Sequence, residues 1–199
     1  MRKHSELVSI SLINEELKQV FRQSRNVYMA ALNAMFIARK INSGNVSGFS
    51  SVTKELQTFS HRLNELTHVV EKDISTAISN SATSIKTHRM SRLFAVALGH
   101  EGNELPELSR RRSRDKMDEK LVHADLLKEL DRKHLMNTLN SLEKHCGIGN
   151  SLSVLAKIES STVGQFTEEL SAISSQIETV IYHMQVNIEM ALSLHTKAA

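Results

Sequence analysis

Apolar side chains recur along the first forty residues in steps of three and four: Ile10, Ile13, Leu17, Val20, Val27, Ala31, Ala34, Ala38 and Ile41, with Ser24 as the one polar member. A ladder of this kind keeps one stripe of an α-helix apolar for more than four heptads and predicts a coiled-coil helix. A polar gap, Asn42 to Gly48, holds two of the chain's seven glycines. The ladder resumes at Phe49, Val52, Leu56, Phe59, Leu63, Leu66, Val70, Ile74 and Ala77. Two heptad helices joined by a short Gly/Asn loop fold back into a hairpin. The second helix is expected to end at Leu98, before Gly99 and Gly102.

Residues 99–116 contain two glycines, the only proline (Pro106) and the basic run Arg110, Arg111, Arg112, Arg114 and Lys116. They read as a linker or crossover, with the arginines on a solvated loop. A second amphipathic pattern follows: Met117, Leu121, Ala124, Leu127, Leu130, Leu135, Leu139, Leu142 and Cys146. Gly147 and Gly149 suggest a tight turn over 146–150. A last helix then carries Leu152, Leu155, Val163, Phe166, Leu170, Ile173, Ile177, Val180, Met184 and Ala191, with Gly164 marking a bend. The expected organisation is therefore a hairpin over 1–98, a crossover over 99–116 and a second hairpin over 117–199. The fold class is all-α: an elongated antiparallel four-helix bundle built from two coiled-coil hairpins.

Composition agrees with this. One proline, seven glycines and 4% aromatics are too few for the many turns of a sheet protein. A formal charge of +3 gives no basic stripe for nucleic acid. No apolar run approaches the ~20 residues of a membrane span. The start of the chain lacks a continuous apolar segment after its basic end, so a signal peptide is not expected and a cytoplasmic location is. Cys146 is the single cysteine, which leaves no disulfide framework and no thiolate metal site. Placed at the end of a helix, it would have its pKa raised by the dipole.

The residues around the first loop carry a resemblance. Ala31-Leu32-Asn33-Ala34 closes the first helix, and Gly48-Phe49-Ser50-Ser51-Val52-Thr53-Lys54-Glu55-Leu56 opens the second. This resembles the cytoplasmic signalling hairpin of bacterial chemoreceptors, the methyl-accepting chemotaxis proteins. In that family a helix ending ALNA-x-x-E-A-A-R returns as G-R-G-F-A-V-V-A-x-E-V-R. The match spans residues 10–90 and rests on Leu32, Asn33, Ala34, Gly48, Phe49, Val52 and Glu55. It implies a hairpin tip that binds protein partners, namely a histidine kinase (CheA) and its coupling adaptor (CheW). The tip set is then Met29, Leu32, Asn33, Met35, Phe36, Ile37, Arg39, Lys40, Gly48, Phe49 and Val52. Several family positions are altered. The tip glutamate falls on Ile37 or Phe36, the aromatic of the ascending helix on Arg25, the loop arginine on Ser47 and the first valine after the phenylalanine on Ser51. A diverged relative with a changed partner surface is implied. The second hairpin would complete in one chain the bundle that receptors build as homodimers, so monomer and homodimer both remain open.

The same resemblance makes the pairs Glu15-Glu16 and Glu168-Glu169 candidate methylation sites, although solvated helix faces carry such pairs routinely. Chemistry elsewhere is sparse. Glu65-Leu66-Thr67-His68 is the single Glu-x-x-His, where a di-iron bundle needs two. The Gly44–Gly48 loop has no lysine to hold phosphate. No catalytic residue, metal or cofactor is expected. The expected function is non-enzymatic, chemoreceptor-like signalling or adaptor work; the alternative is a structural coiled-coil scaffold without switching.

Overall fold

A computed structural model describes the backbone of residues 2–40, 47–98, 106–162, 164 and 166–197, with side chains for all of these except 2–7, 47–49 and 197. Among them the protein is all-helical. The helices are α1 (Arg2–Lys40), α2 (Ser47–Leu98), α3 (Glu107–Ser160) and α4 (Thr167–Lys197). α1 lies beside α2 and α4, and α3 beside the same two. With 52 and 54 residues, α2 and α3 are each about 80 Å long.

The period of the first helix holds as expected. Ile13, Leu17, Val20, Ser24, Val27, Ala31 and Ala34 are buried, and Ile10 and Ala38 are half-buried. Ile41, the gap residues 42–46 and the side chain of Phe49 lie outside the described residues, as does the burial of Gly48. Ser47 and Gly48, expected in the loop, already belong to α2.

On α2 the seam that goes inward is shifted from the apolar ladder. Thr53, Leu56, Ser60, Leu63, Thr67, Val70, Ile74, Ala77, Ser81 and Ser84 are buried, in unbroken three-four steps. Of the expected members Phe59 is buried beside it, while Val52 and Leu66 are half-buried on its flank. Hydroxyl side chains belong in this stripe because they satisfy themselves locally. Ser60 Oγ donates to the Gln57 carbonyl at 3.0 Å and Thr67 Oγ1 to that of Asn64 at 2.8 Å.

Two boundaries of the second half differ from the sequence expectation. First, the crossover assigned to 99–116 is helical from Glu107; residues 99–105 lie outside the described set. Pro106 has φ −54° and ψ 140°, and its carbonyl accepts from the backbone N–H of Ser109 (2.9 Å) and Arg110 (3.1 Å). A proline costs nothing at a helix start, where its missing N–H has no partner to lose. Glu107 favours the first turn, and arginine is a good helix former. The basic run is therefore on a helix and not on a loop.

Second, the tight turn expected at 146–150 does not exist. α3 runs through both glycines, and the inward stripe continues as Leu135, Leu139, Leu142, Cys146, Gly149, Ser153, Ala156 and Ser160. Leu130 and Leu155, assigned to the seam from their apolar character, are about half exposed. α3 ends instead at Ser160, and α4 begins at Thr167. Between them Ser161 and Thr162 fold back on the carbonyls of Ile158 and Glu159, and Gly164 takes φ +75°, a conformation that glycine adopts without a Cβ clash. Gly164 is the turn and not a bend within a helix; Val163 lies outside the described residues. α4 buries Leu170, Ser174, Ile177, Ile181, Met184, Ile188, Ala191 and His195, leaving Ile173 and Val180 half-buried.

Side-chain bonds mark which levels of the helices lie together. His145 bonds to the Phe59 carbonyl, Thr138 to Asp73, Asn80 to Asp131 and Ser84 to Asp125, so residue numbers fall along α3 as they rise along α2. Asn150 bonds to Gln185 and Lys157 to Glu178 between α3 and α4, and Asn187 to Gln23 between α4 and α1.

Candidate functional site

The last three turns of α1 hold most of the tip residues. Alanines fill the inward stripe here: Ala30, Ala31 and Ala34 are buried. Small residues on the inside leave the larger ones no room inward. Met29, Asn33, Phe36 and Lys40, spaced four, three and four apart, are all exposed, and both Met29 and Phe36 leave more than half of their surface to water. Leu32, Met35 and Ile37 are half-buried and Arg39 is exposed. Ile37 lies two heptads beyond Gln23, whose amide oxygen accepts from Asn187, and so is on the flank that faces α4. Met35 and Arg39 line a groove of about 150 Å³ with Ala38 and with Ser50, Thr53, Lys54 and Gln57 of α2. Val52, half-buried, is not among its lining residues. Four of the tip residues, Met29, Asn33, Phe36 and Lys40, thus form an outward stripe, and two, Met35 and Arg39, line a groove that also carries Lys54.

The two glutamate pairs are not brought together. Glu15 is exposed and bonds Lys18 at 2.6 Å, three residues on; Glu16 is half-buried. Glu168 and Glu169 are exposed in the first turn of α4, where they complement its dipole. The Gln23–Asn187 bond puts Glu168 level with the end of α1, about 40 Å along the axis from Glu15.

A polar ladder between α2 and α3 was not anticipated. Asp73 Oδ2 accepts from Thr138 Oγ1 at 2.8 Å and lies 2.9 Å from His134 Nδ1. Asn80 Nδ2 donates to Asp131 at 2.6 Å. Asp125 accepts from Ser84 at 2.9 Å, and both its oxygens are 3.1 Å from His88 Nε2. His145 stacks on the Phe59 ring, with centroids 4.7 Å apart. The signal was present in the sequence: Asp73 and Asn80 are seven apart, as are Asp131, Thr138 and His145, the spacing of seam-edge positions that set helix register.

Other candidate chemistry is not assembled. His61 and His68 line an open groove of about 390 Å³ with Phe21, Arg25, Tyr28, Asn64, Thr67 and Glu71. Among the described residues no three His, Cys, Asp or Glu side chains converge on a point that could hold a metal ion. Cys146 is not at a helix end. It lies within α3, fully buried, and its thiol is pushed up to about 12, first by burial and then by Glu143. No described helix is long and apolar enough to cross a membrane. No protein-family model matches the chain, and no curated protein matches it either.

Proposed function

We propose that the protein is a cytoplasmic, non-enzymatic signalling or adaptor protein related to the chemoreceptor signalling hairpin. In this reading the four helices form an elongated antiparallel bundle of two hairpins, and the end of α1 with the start of α2 is its partner-binding apex. The opposed numbering of the interhelical bonds supports the bundle, with 59 level with 145, 80 with 131 and 157 with 178. The observation that carries the functional reading is the outward stripe Met29–Asn33–Phe36–Lys40. Two large apolar side chains and a cation stand exposed where the helix ends, beside a groove with two more cations. Exposed apolar side chains clustered at the end of a rod mark a docking surface.

The test uses purified chemotaxis histidine kinase and coupling adaptor, captured on the immobilised chain. Ile37→Glu and Met35→Ala are expected to change capture while helicity and melting stay close to wild type, since both side chains are only half-buried. Capture that neither substitution alters sinks the apex as the interface.

The alternative, a scaffold that does not switch, is favoured by one observation. Buried small residues on α1 (Ser24, Ala31, Ala34) suit a bundle with two arrangements close in energy, but Asn80 and Ser84 of α2 are tied to α3 by side-chain bonds. Hydrogen exchange over residues 70–95 separates the readings. Uniformly strong protection belongs to the inert rod, and protection that changes when the apex is occupied belongs to the relay.

A further inference from the structure

The last four turns of α2 are basic and aliphatic on one face. From Ile74 to Leu98 the helix carries Lys86, Arg89 and Arg92 and no acidic residue. The side of this segment that meets α3 is polar: Ser84 donates to Asp125 at 2.9 Å, and His88 Nε2 lies 3.1 Å from both oxygens of the same carboxylate. At about 100° per residue Leu93 is turned roughly 140° away from His88, and Lys86, Arg89, Arg92 and Val96 fall with Leu93 in about 120° of arc. All five are exposed, Leu93 by 59% and Val96 by 67%, more than the other large apolar residues of α2. Exposed aliphatic side chains interleaved with cations have no role in the packing of α2 on α3.

The start of α3 keeps this end of the molecule cationic. Glu107 is paired with Arg111, while Asp115, Asp118 and Glu119 are set among Arg112, Arg114, Lys116 and Lys120. With Glu101 and Glu104 counted as well, residues 86–120 hold nine lysines and arginines against six acidic residues, so this stretch alone accounts for the formal charge of +3.

We propose that the outward face of α2 over 86–96 docks on an anionic lipid surface. Lys86, Arg89 and Arg92 meet the charged headgroups, and Leu93 and Val96 sit at the acyl boundary. Charge complementarity selects an anionic occupant, and the aliphatic pair selects lipid. A nucleic-acid backbone rewards the cations but leaves Leu93 and Val96 in contact with phosphate and water. Stacking on bases needs an exposed aromatic, and Phe94, the one aromatic of the segment, is half-buried. A basic helix face carrying leucine and valine is what a membrane interface takes up, since it offers both phosphate and hydrocarbon within one side chain's reach. The face is about 65 Å along α2 from Ser50 in the groove of the apex, so the two proposals stand or fall separately.

The test is co-sedimentation of the full chain with vesicles of phosphatidylcholine alone and of phosphatidylcholine with about one-third phosphatidylserine. Binding is expected only to the second, and is expected to weaken as salt rises. Arg89→Gln with Arg92→Gln is expected to weaken it roughly twentyfold. Leu93→Ser with Val96→Ser is expected to weaken it roughly tenfold while the salt dependence stays as in wild type. Arg22→Gln with Lys144→Gln removes the same charge from exposed positions elsewhere and is expected to bind as wild type does. All these side chains are exposed, so helicity and Tm are expected to hold. A chain that ignores anionic vesicles overturns the proposal, as does equal weakening by the Arg22 and Lys144 pair, which would make net charge the cause. Duplex DNA bound more tightly than the vesicles, and undiminished by the serine variant, would assign the face to a phosphate backbone and overturn it as well.

Discussion

Gly147 and Gly149 lie two residues apart on α3 in opposite surroundings, and alanine at each should move stability in opposite directions. A glycine-to-alanine change in a helix interior gains about 1 kcal/mol, because alanine loses less backbone freedom on folding. At Gly147 a new Cβ meets nothing within 4 Å, so that gain should appear undiminished. At Gly149 the Cβ would lie 2.3 Å from Phe59 Cζ, 2.6 Å from Ile181 Cδ1 and 2.9 Å from Phe59 Cε1. The phenylalanine cannot retreat freely. Its ring stacks on His145, whose Nε2 is 3.0 Å from the Phe59 carbonyl oxygen, and Ile181 is fully buried. Overpacking of this kind costs about 1–3 kcal/mol. Set against the helix gain, Gly149→Ala should be destabilising by up to about 2 kcal/mol, and the two variants should differ by about 1–3 kcal/mol. For a chain of this size each kcal/mol moves Tm by roughly 2–4 °C. Urea unfolding followed by far-UV circular dichroism reads both signs. If both alanines stabilise equally, α3 does not approach α2 and α4 at Gly149. If both destabilise, the segment is a turn and not a helix.

Two further predictions concern buried polar groups. Ser24 is buried on the α1 seam, and its hydroxyl finds no hydrogen-bond partner among the described residues; Ser24→Ala should stabilise by about 1 kcal/mol in the same unfolding assay. His195 at the end of α4 is buried among Ile10, Ile13, Leu135 and Arg132, and its pKa is lowered, first by burial and then by the Arg132 charge, with Glu129 opposing. The unfolded chain takes up this proton near pH 6.5 and the folded chain only below that, so stability is lost as pH falls through about 6.5. Thermal melts from about pH 7.5 to about pH 5.5 should show a smaller loss in His195→Gln than in wild type; equal slopes would show that burial of this imidazole is not coupled to folding.

Much of the architecture was legible in the order of residues. The α1 ladder predicted its buried stripe nearly residue for residue, because its apolar steps of three and four coincide with the face of the helix that packs inward. The exposure of Met29 and Phe36 followed from the same helix, since alanines occupy its inside. Legibility failed where hydroxyl or small residues form the seam. Thr53, Ser60 and Thr67 on α2, and Gly149, Ser153 and Ser160 on α3, read as surface or turn by polarity. Ser60, Thr67, Ser153 and Ser160 tolerate burial because each hydroxyl donates to a carbonyl of its own preceding turn, while Gly149 is held inside by the close approach of Phe59 and Ile181.

What the sequence determined by itself is periodicity: which side chains share a stripe, and that long helices result. It could not determine which of two apolar stripes on α3 faces inward. Ile148, Leu155 and Ile158 are the more hydrophobic choice, yet Gly149, Ser153 and Ala156 take the inside. That choice belongs to the tertiary structure, because Phe59 of α2 and Ile181 of α4 reach so close to the α3 backbone that only a residue without a Cβ fits between them. A burial preference belongs to one residue, whereas the space left for it is set by the neighbours it meets only after the helices have packed.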